Sequence, residues 1–256
     1  MSDPAVQPSA AAEHTGSGLS QWQRVGSIFS APSKTFEDIR LGRLSWWLPF
    51  LISVFFSYVL FAAVTMRVGW KQVAANSVAT NPAQMERINQ LPPEGRDRAL
   101  NITGIFIEVS VAASPAVILL FAALMSLILW ATINFGFGGK STYGQIFAVN
   151  MYAALPRLFL PLLATIALYA GMAPESFNLS NMAATNGAYF LSVQDTNKAL
   201  YVLLSQIDVI SIWVAVLLSL GIARVAGKKK SAGFIAVFGW WGLWVLGRVL
   251  VALVMS

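Results

Sequence analysis

Five long blocks of apolar side chains, at about residues 46–66, 104–134, 146–171, 201–223 and 233–254, constrain this chain more than any other feature. Hydrocarbon holds no water to satisfy backbone N–H and C=O groups, so a crossing segment must satisfy them internally. A helix does so, and needs about 20 apolar residues to span. Each block is long enough. Of the 256 residues 57% are hydrophobic and only 11% charged, and the apolar ones are bunched instead of recurring at the spacing of a soluble amphipathic helix. The expected fold class is all-α, a polytopic membrane protein with five transmembrane helices. The second block exceeds one crossing, so it tilts or begins as a helix outside the membrane, and no Gly-Pro pair inside it marks a turn that would make two crossings.

The flanking segments complete the expected organisation. Residues 1–20, "MSDPAVQPSAAAEHTGSGLS", are small and polar, lack the apolar core of a secretory signal, and read as a disordered tail. Residues 21–45 interleave Trp22, Val25, Phe29, Phe36 and Ile39 with basic residues. Ser33 is placed to cap a helix whose early turn carries Glu37 and Asp38. This segment is expected either to lie in the cytoplasmic interface or to pack beneath the bundle. Residues 46–254 are the five-helix domain. Its first external loop, with Pro82 and the Pro92–Pro93 pair, reads as a short helical hairpin.

Charge sets the orientation. Arg24, Lys34, Arg40, Arg43, Lys140, Arg224, Lys228, Lys229 and Lys230 fall on one side of a five-span chain, and Arg67, Lys71, Arg87, Arg96, Arg98 and Lys198 on the other. The larger set lies in shorter segments and includes "RVAGKKK" beside a span, so the amino terminus is expected in the cytoplasm and the carboxyl terminus outside. The net charge of +6 is thus an orientation signal, and no nucleic-acid partner is expected. No cysteine is present, and the one histidine, His14, lies in the tail, so neither disulfides nor a thiolate or imidazole metal site is expected. Gly139-Lys140-Ser141 imitates part of a phosphate loop, but Asn134 stands where that loop needs glycine and a membrane block precedes it, so no nucleotide is expected. Gly136, Gly138 and Gly139 are instead expected to turn the chain between spans two and three, with Ser141 or Thr142 capping the next helix.

Ionisable residues inside the apolar blocks are the candidate site. "YAALPRLFLPLL" holds Pro156 and Pro161, expected to kink or open the third span, with Arg157 between them. Asp208 shares a helical face with Ser211, Ala215 and Ser219, a narrow small-residue seam, while Ile210, Trp213, Val214 and Leu217 are expected to face lipid. Asp208 and Arg248 lie at matching depths, about 10 and about 9 Å from the outer ends of their spans. With Glu108 and Arg157 they are expected to form a neutral polar cluster, either a set of ion pairs fixing helix order or a solvated site for a proton, ion or lipid headgroup. In the last span Gly233, Ala236, Gly239 and Gly242 recur every three residues, a pattern expected to admit a neighbouring backbone, in the bundle or between protomers.

Three stretches, "IFSAPSKTFEDIR", "STYGQIFAVNMYAALPRL" and "DVISIWVAVLLSLGIARV", together resemble the Yip1-domain family of membrane proteins, in its bacterial branch. The resemblance implies a five-helix membrane domain with a cytoplasmic amino terminus and an outside carboxyl terminus. It carries over Pro32, Phe36, Tyr152, Pro156, Asp208 and Trp213. Eukaryotic relatives act in Golgi and endoplasmic reticulum trafficking and associate with Rab GTPases and with one another. The expected function is a non-catalytic integral protein of the bacterial cytoplasmic membrane, without cofactor, whose partners are membrane lipids and other proteins or its own copies. Two alternatives stay open: a small transporter, channel or lipid-moving protein using the Arg/Asp site, and residence in the endoplasmic reticulum or Golgi membrane.

Overall fold

The computed structural model describes residues 18–193 and 195–254, so the expected tail up to residue 17, with His14, lies outside the described residues. Its helices are α1 (Gln21–Ser30), α2 (Pro32–Arg40), α3 (Trp47–Arg67), α4 (Trp70–Ala79), α5 (Pro82–Asn89), α6 (Pro93–Ala112), α7 (Ser114–Ala131), α8 (Tyr143–Ala153), α9 (Phe159–Tyr169), α10 (Lys198–Gln206), α11 (Val209–Val225) and α12 (Lys230–Val254). Four stretches are long and apolar enough to cross a membrane: Trp47–Arg67, Ser114–Gly136, Tyr143–Tyr169 and Lys230–Val254. α11, with 17 residues, is a shorter apolar helix of about 26 Å.

Two blocks expected to be continuous are broken. In the second, α6 stops at Ala113 because Pro115 offers no N–H to continue the ladder, and α7 runs on through a π turn at Thr132–Gly136. The Ser114–Pro115 pair, not a Gly-Pro pair, supplies this joint. α6 begins as a polar helix and packs on α4 so closely that a β-carbon on Gly104 would stand 2.8 Å from the Trp70 carbonyl oxygen. In the fourth block, α10 and α11 are separated at Ile207–Asp208.

Of the two expectations for the segment before the first span, packing on the bundle is the one seen, and α1 and α2 do so as a hairpin wedged between α8 and α11. Pro32 occupies the first turn of α2 and Ala31 leaves the helical region (φ −151°, ψ 66°), so the chain folds back there, and Ser33 does not cap the helix. Ser20 caps α1 in a reciprocal pair with Gln23. Ile28, Phe36 and Ile39 are buried with Leu129, Ile133, Ile146, Tyr152 and Ile222 in the main core. A β-carbon on Gly221 would meet Val149 at 2.4 Å and the Phe36 ring at 2.9 Å, so only glycine admits the wedge. Near the tip, Phe29 packs edge-on to Trp213 and Phe159, with ring centroids 5.8 and 6.0 Å apart. Trp213 lies about 18 Å along α11 from Val225, and the hairpin reaches that depth.

A second core lies on the opposite face. Leu60, Ala63 and Val64 of α3, Trp70 and Val73 of α4, Ala164 and Leu168 of α9 and Phe177 bury one another. α4, which the sequence reading left unassigned, is fastened to the long 170–197 connection by Asn76, whose side-chain amide donates to the Pro174 and Phe177 carbonyls at 2.8 Å each. The external hairpin forms from α5 and the start of α6, with Asn81 capping α5 and Pro93 opening α6. Thr142 caps α8 reciprocally with Gln145. Asn134, at the position a phosphate loop would give to glycine, exchanges hydrogen bonds with the Ser141 backbone at 2.8 and 3.0 Å and thereby shapes the turn.

Candidate functional site

Two polar sites stand out, one under the hairpin and one where the helix breaks meet. The first is a buried ion pair that sequence reasoning missed: Arg24 and Asp38 are 5% and 6% exposed. Arg24 Nε is 2.9 Å from Asp38 Oδ2, and Arg24 also donates to the Arg43 and Ser45 carbonyls at 3.0 and 3.4 Å. The other Asp38 oxygen is 3.3 Å from Arg43. The Arg24 guanidinium lies 5.8 Å from the centre of the wholly buried Tyr152 ring, and Thr35 donates to the Arg24 carbonyl at 3.0 Å. These contacts fasten α1 to α2 and the hairpin to α8. At the rim, Glu37 accepts from Arg40 Nε at 2.9 Å and from Arg224 Nε at 2.6 Å, tying α2 to α11. The Arg40 hydrogen bond, opposed by partial burial and aided by Arg224, holds the Glu37 carboxyl at about 2, below its ordinary 4.5.

The second site centres on Asp208, which begins α11 instead of lying inside a span. Its Oδ1 accepts from the Ser211 N–H at 2.7 Å, an N-cap, and its Oδ2 accepts from the Thr185 hydroxyl. The Val209 N–H donates to the Thr185 carbonyl at 3.0 Å, and Asn186 pairs with Asp208 as an antiparallel bridge. The 170–197 connection thus folds over the break and buries the carboxylate to 7% exposure. Arg157 sits in the 3-10 turn Leu155–Leu158 that separates α8 from α9. It is exposed, and among the described residues its side chain makes neither an ion pair within 4.0 Å nor a hydrogen bond.

The expected four-residue cluster does not assemble. Arg248 is exposed on α12 beside Lys198, Val202 and Trp244, and it forms no ion pair with Asp208 among the described residues. Glu108 is half-buried on α6, also without an ion pair among them. The reason is local: a carboxylate that opens a helix satisfies that helix's free N–H groups, and no guanidinium is needed to neutralise it. The expected lipid-facing side of α11 is corrected too. Val214 and Leu217 are each 4% exposed, Leu217 in the core shared with Ile28, Phe36 and Ile39 of the hairpin, while Ala215 and Ser219 are buried as the seam requires. Of the small residues on α12, Gly233 meets α11 closely, a β-carbon there standing 2.1 Å from the Ser219 carbonyl oxygen, whereas Gly239 and Gly242 have no neighbour within 4 Å.

The residues carried over by resemblance fall on the hairpin, α8 with the turn after it, and α11. Pro32 opens α2, Phe36 fills the gap at Gly221, Tyr152 lies under Arg24, and Pro156 is in the 3-10 turn. Trp213 stacks on Phe159 at 6.0 Å and Asp208 caps α11, while Pro161 falls in the first turn of α9. No curated protein and no solved structure matches the chain. A family model, the Yip1 domain, matches residues 26–254, from the hairpin to the end of α12. This membrane protein belongs to the Yip1 domain family.

Proposed function

We propose that the chain is a non-catalytic membrane protein that gathers protein partners and organises lipid at a rigid platform on its amino-terminal face. In this reading it resides in the cytoplasmic membrane of a bacterium, with that face in the cytoplasm and the carboxyl terminus outside. The wedged hairpin carries the reading. A buried ion pair ties its two helices together with Arg24 over the α8 ring of Tyr152, and it leaves Trp22, Leu41 and Trp47 at 69%, 67% and 50% exposure beside the exposed Lys34, Arg40 and Arg43. Aromatic and aliphatic groups next to cations suit a headgroup layer or a partner's amphipathic surface. The distribution of Lys and Arg supports the orientation.

The test is photo-crosslinking in native membranes from a reactive residue at position 22, compared with one at position 98 on the opposite face. Protein or lipid adducts specific to position 22, and lost when Asp38→Asn releases the hairpin, are expected. Equal adducts from both positions, or adducts indifferent to Asp38→Asn, refute the platform. The chain contains no cysteine, so single cysteines at the same positions report sidedness with an impermeant thiol reagent.

A second reading, a lipid-moving or transport function, is favoured by one observation: two helix breaks occur in elements packed on each other, Leu155–Leu158 carrying an exposed arginine and Ile207–Asp208 a capping aspartate. Discontinuous helices are a common way to build a polar site within a membrane. Lipid, ion or proton flux in proteoliposomes that disappears in Arg157→Gln would establish it, and flux no greater than in empty vesicles would end it.

A further inference from the structure

A hollow of about 240 Å³ opens on the amino-terminal face where α11 ends, lined by Arg40, Ala223, Arg224, Gly227 and Lys228. Its cations are held by construction. Glu37 accepts hydrogen bonds from both arginines, and one carboxylate therefore keeps two guanidiniums from distant parts of the chain side by side. Arg224 uses Nε in that contact, which leaves its two terminal amino groups, with four N–H donors, at the hollow. Lys228 is brought over the same opening by the end of α11: Gly227 has φ +64°, the Lys228 N–H returns to the Ala223 carbonyl at 2.9 Å, and no atom lies within 4 Å of where a Gly227 β-carbon would be. Arg40, Arg224 and Lys228 against Glu37 leave two positive charges uncompensated, and the exposed Lys229 and Lys230 follow directly.

Level and chemistry narrow the occupant. The apolar run of α11 ends at Val225 and that of α12 starts after Lys230, so the hollow sits where the hydrocarbon gives way to headgroups. Guanidiniums recognise phosphate through paired N–H donors, and a lysine adds a movable point charge. The Arg224 donors that Glu37 does not use are open to an anionic oxygen, and the hollow's level at the headgroup layer selects a phosphate for them. We infer that this hollow binds a phosphate-bearing anion, supplied in the membrane by the headgroup of an anionic phospholipid. The inference deepens the lipid-organising half of the function proposed above and rests on it for the occupant. The crosslinks from position 22 do not depend on the hollow, so its failure leaves the platform standing.

The experiment uses the full chain in nanodiscs of phosphatidylglycerol and phosphatidylcholine, with retained lipid counted by native mass spectrometry after extraction. Wild type is expected to retain phosphatidylglycerol over phosphatidylcholine, and Arg224→Gln with Lys228→Gln to weaken that preference by about tenfold or more. Arg98→Gln, an exposed cation on the opposite face, is the control and should retain lipid as wild type does. An unchanged thermal transition shows that the double variant is folded, and Lys228→Arg should preserve the preference if folding interferes with the double variant. Inorganic phosphate and glycerol phosphate form the second arm. Displacement or thermal protection by them without phosphatidylglycerol retention keeps the phosphate site but overturns the lipid as its occupant. Equal retention of both lipids by wild type, or the same preference in the double variant, overturns the inference.

Discussion

Replacing Asp38 by asparagine keeps the shape of the side chain and removes only its charge, which makes it the sharpest test of how the hairpin is held. Arg24 then loses the partner 2.9 Å away while remaining about as buried, at 5% exposure, with only the Arg43 and Ser45 carbonyls to receive it. Breaking a buried pair by removing one member costs about 3–5 kcal/mol, because an uncompensated charge stays in a poorly solvating place. The reverse change, Arg24→Met, should cost less, since Asp38 keeps Arg43 at 3.3 Å and Arg43 is partly in solvent. The absence of native cysteine gives a clean assay: a single cysteine at Ile28, buried at 1% exposure, reacts with a maleimide only when the hairpin opens. If opening is rapid relative to labelling, 3–5 kcal/mol corresponds to about a hundredfold to several thousandfold faster reaction. Arg24→Met combined with Asp38→Leu removes both charges and should bring the rate most of the way back to wild type. Labelling of Asp38→Asn at the wild-type rate, or of the double variant as fast as Asp38→Asn, would refute the view that this pair holds the wedge.

Further outcomes follow from the same geometry. Because Glu37 is held at about 2, below its ordinary 4.5, folding favours its ionised form; the stabilisation is complete above the ordinary value and lost as pH falls through about 2. The difference in unfolding free energy between wild type and Glu37→Gln should therefore be constant from about pH 7 to 5 and shrink progressively below that. Gly233→Ala should destabilise by about 1–3 kcal/mol, since its β-carbon would press on the Ser219 carbonyl 2.1 Å away. Gly239→Ala, with nothing within 4 Å, should be neutral or stabilise by up to about 1 kcal/mol in thermal or denaturant unfolding. Asp208→Ala should cost about 0.5–2 kcal/mol through loss of the cap and Asp208→Asn much less, while Arg248→Leu should leave stability within about 0.5 kcal/mol, as unfolding measurements would show.

Four of the five membrane blocks were legible because length and apolarity are local properties, and so were the helix boundaries set by Pro82, Pro93 and Thr142, whose side chains or missing N–H groups act within one turn. The wedge was not. An amphipathic pattern over residues 21–40 is the same whether its apolar face meets a bilayer or α8 and α11, and the Arg24–Asp38 pair exists only once the chain folds back at Ala31–Pro32. Sequence spacing treated Asp208 as a residue inside a continuous helix and so gave it a partner by depth. A usable signal was present, since an aspartate immediately before an apolar run is a favoured N-cap. The interaction that completes the break comes from Thr185, in a long connection without periodicity, and no pattern announces it.

Three aromatic rings join the hairpin tip to the helices that carry the second polar site. Trp213 lies five residues after Asp208, about 7.5 Å along α11, and touches both Phe29 near the hairpin tip and Phe159, two residues beyond Arg157. The hairpin tip is therefore packed directly against the segments that carry the two helix breaks. An ordinary span has one arrangement, because its hydrogen bonds run without interruption. At the Leu155–Leu158 turn and at the start of α11 the regular ladder gives way to single local bonds, the Arg157 N–H to the Ala154 carbonyl at 2.9 Å and the Val209 N–H to the Thr185 carbonyl at 3.0 Å. What keeps the joints in one position is packing: Trp213 between Phe29 and Phe159 from the amino-terminal side, and the Thr185–Asp208 contact from the other. A binding event that moves the hairpin must repack Trp213, and Arg157 and Asp208 lie within one or two turns of that repacking. In the function proposed above, this packing is the route by which binding at the amino-terminal face would reach Arg157 and Asp208 without any ion pair linking them.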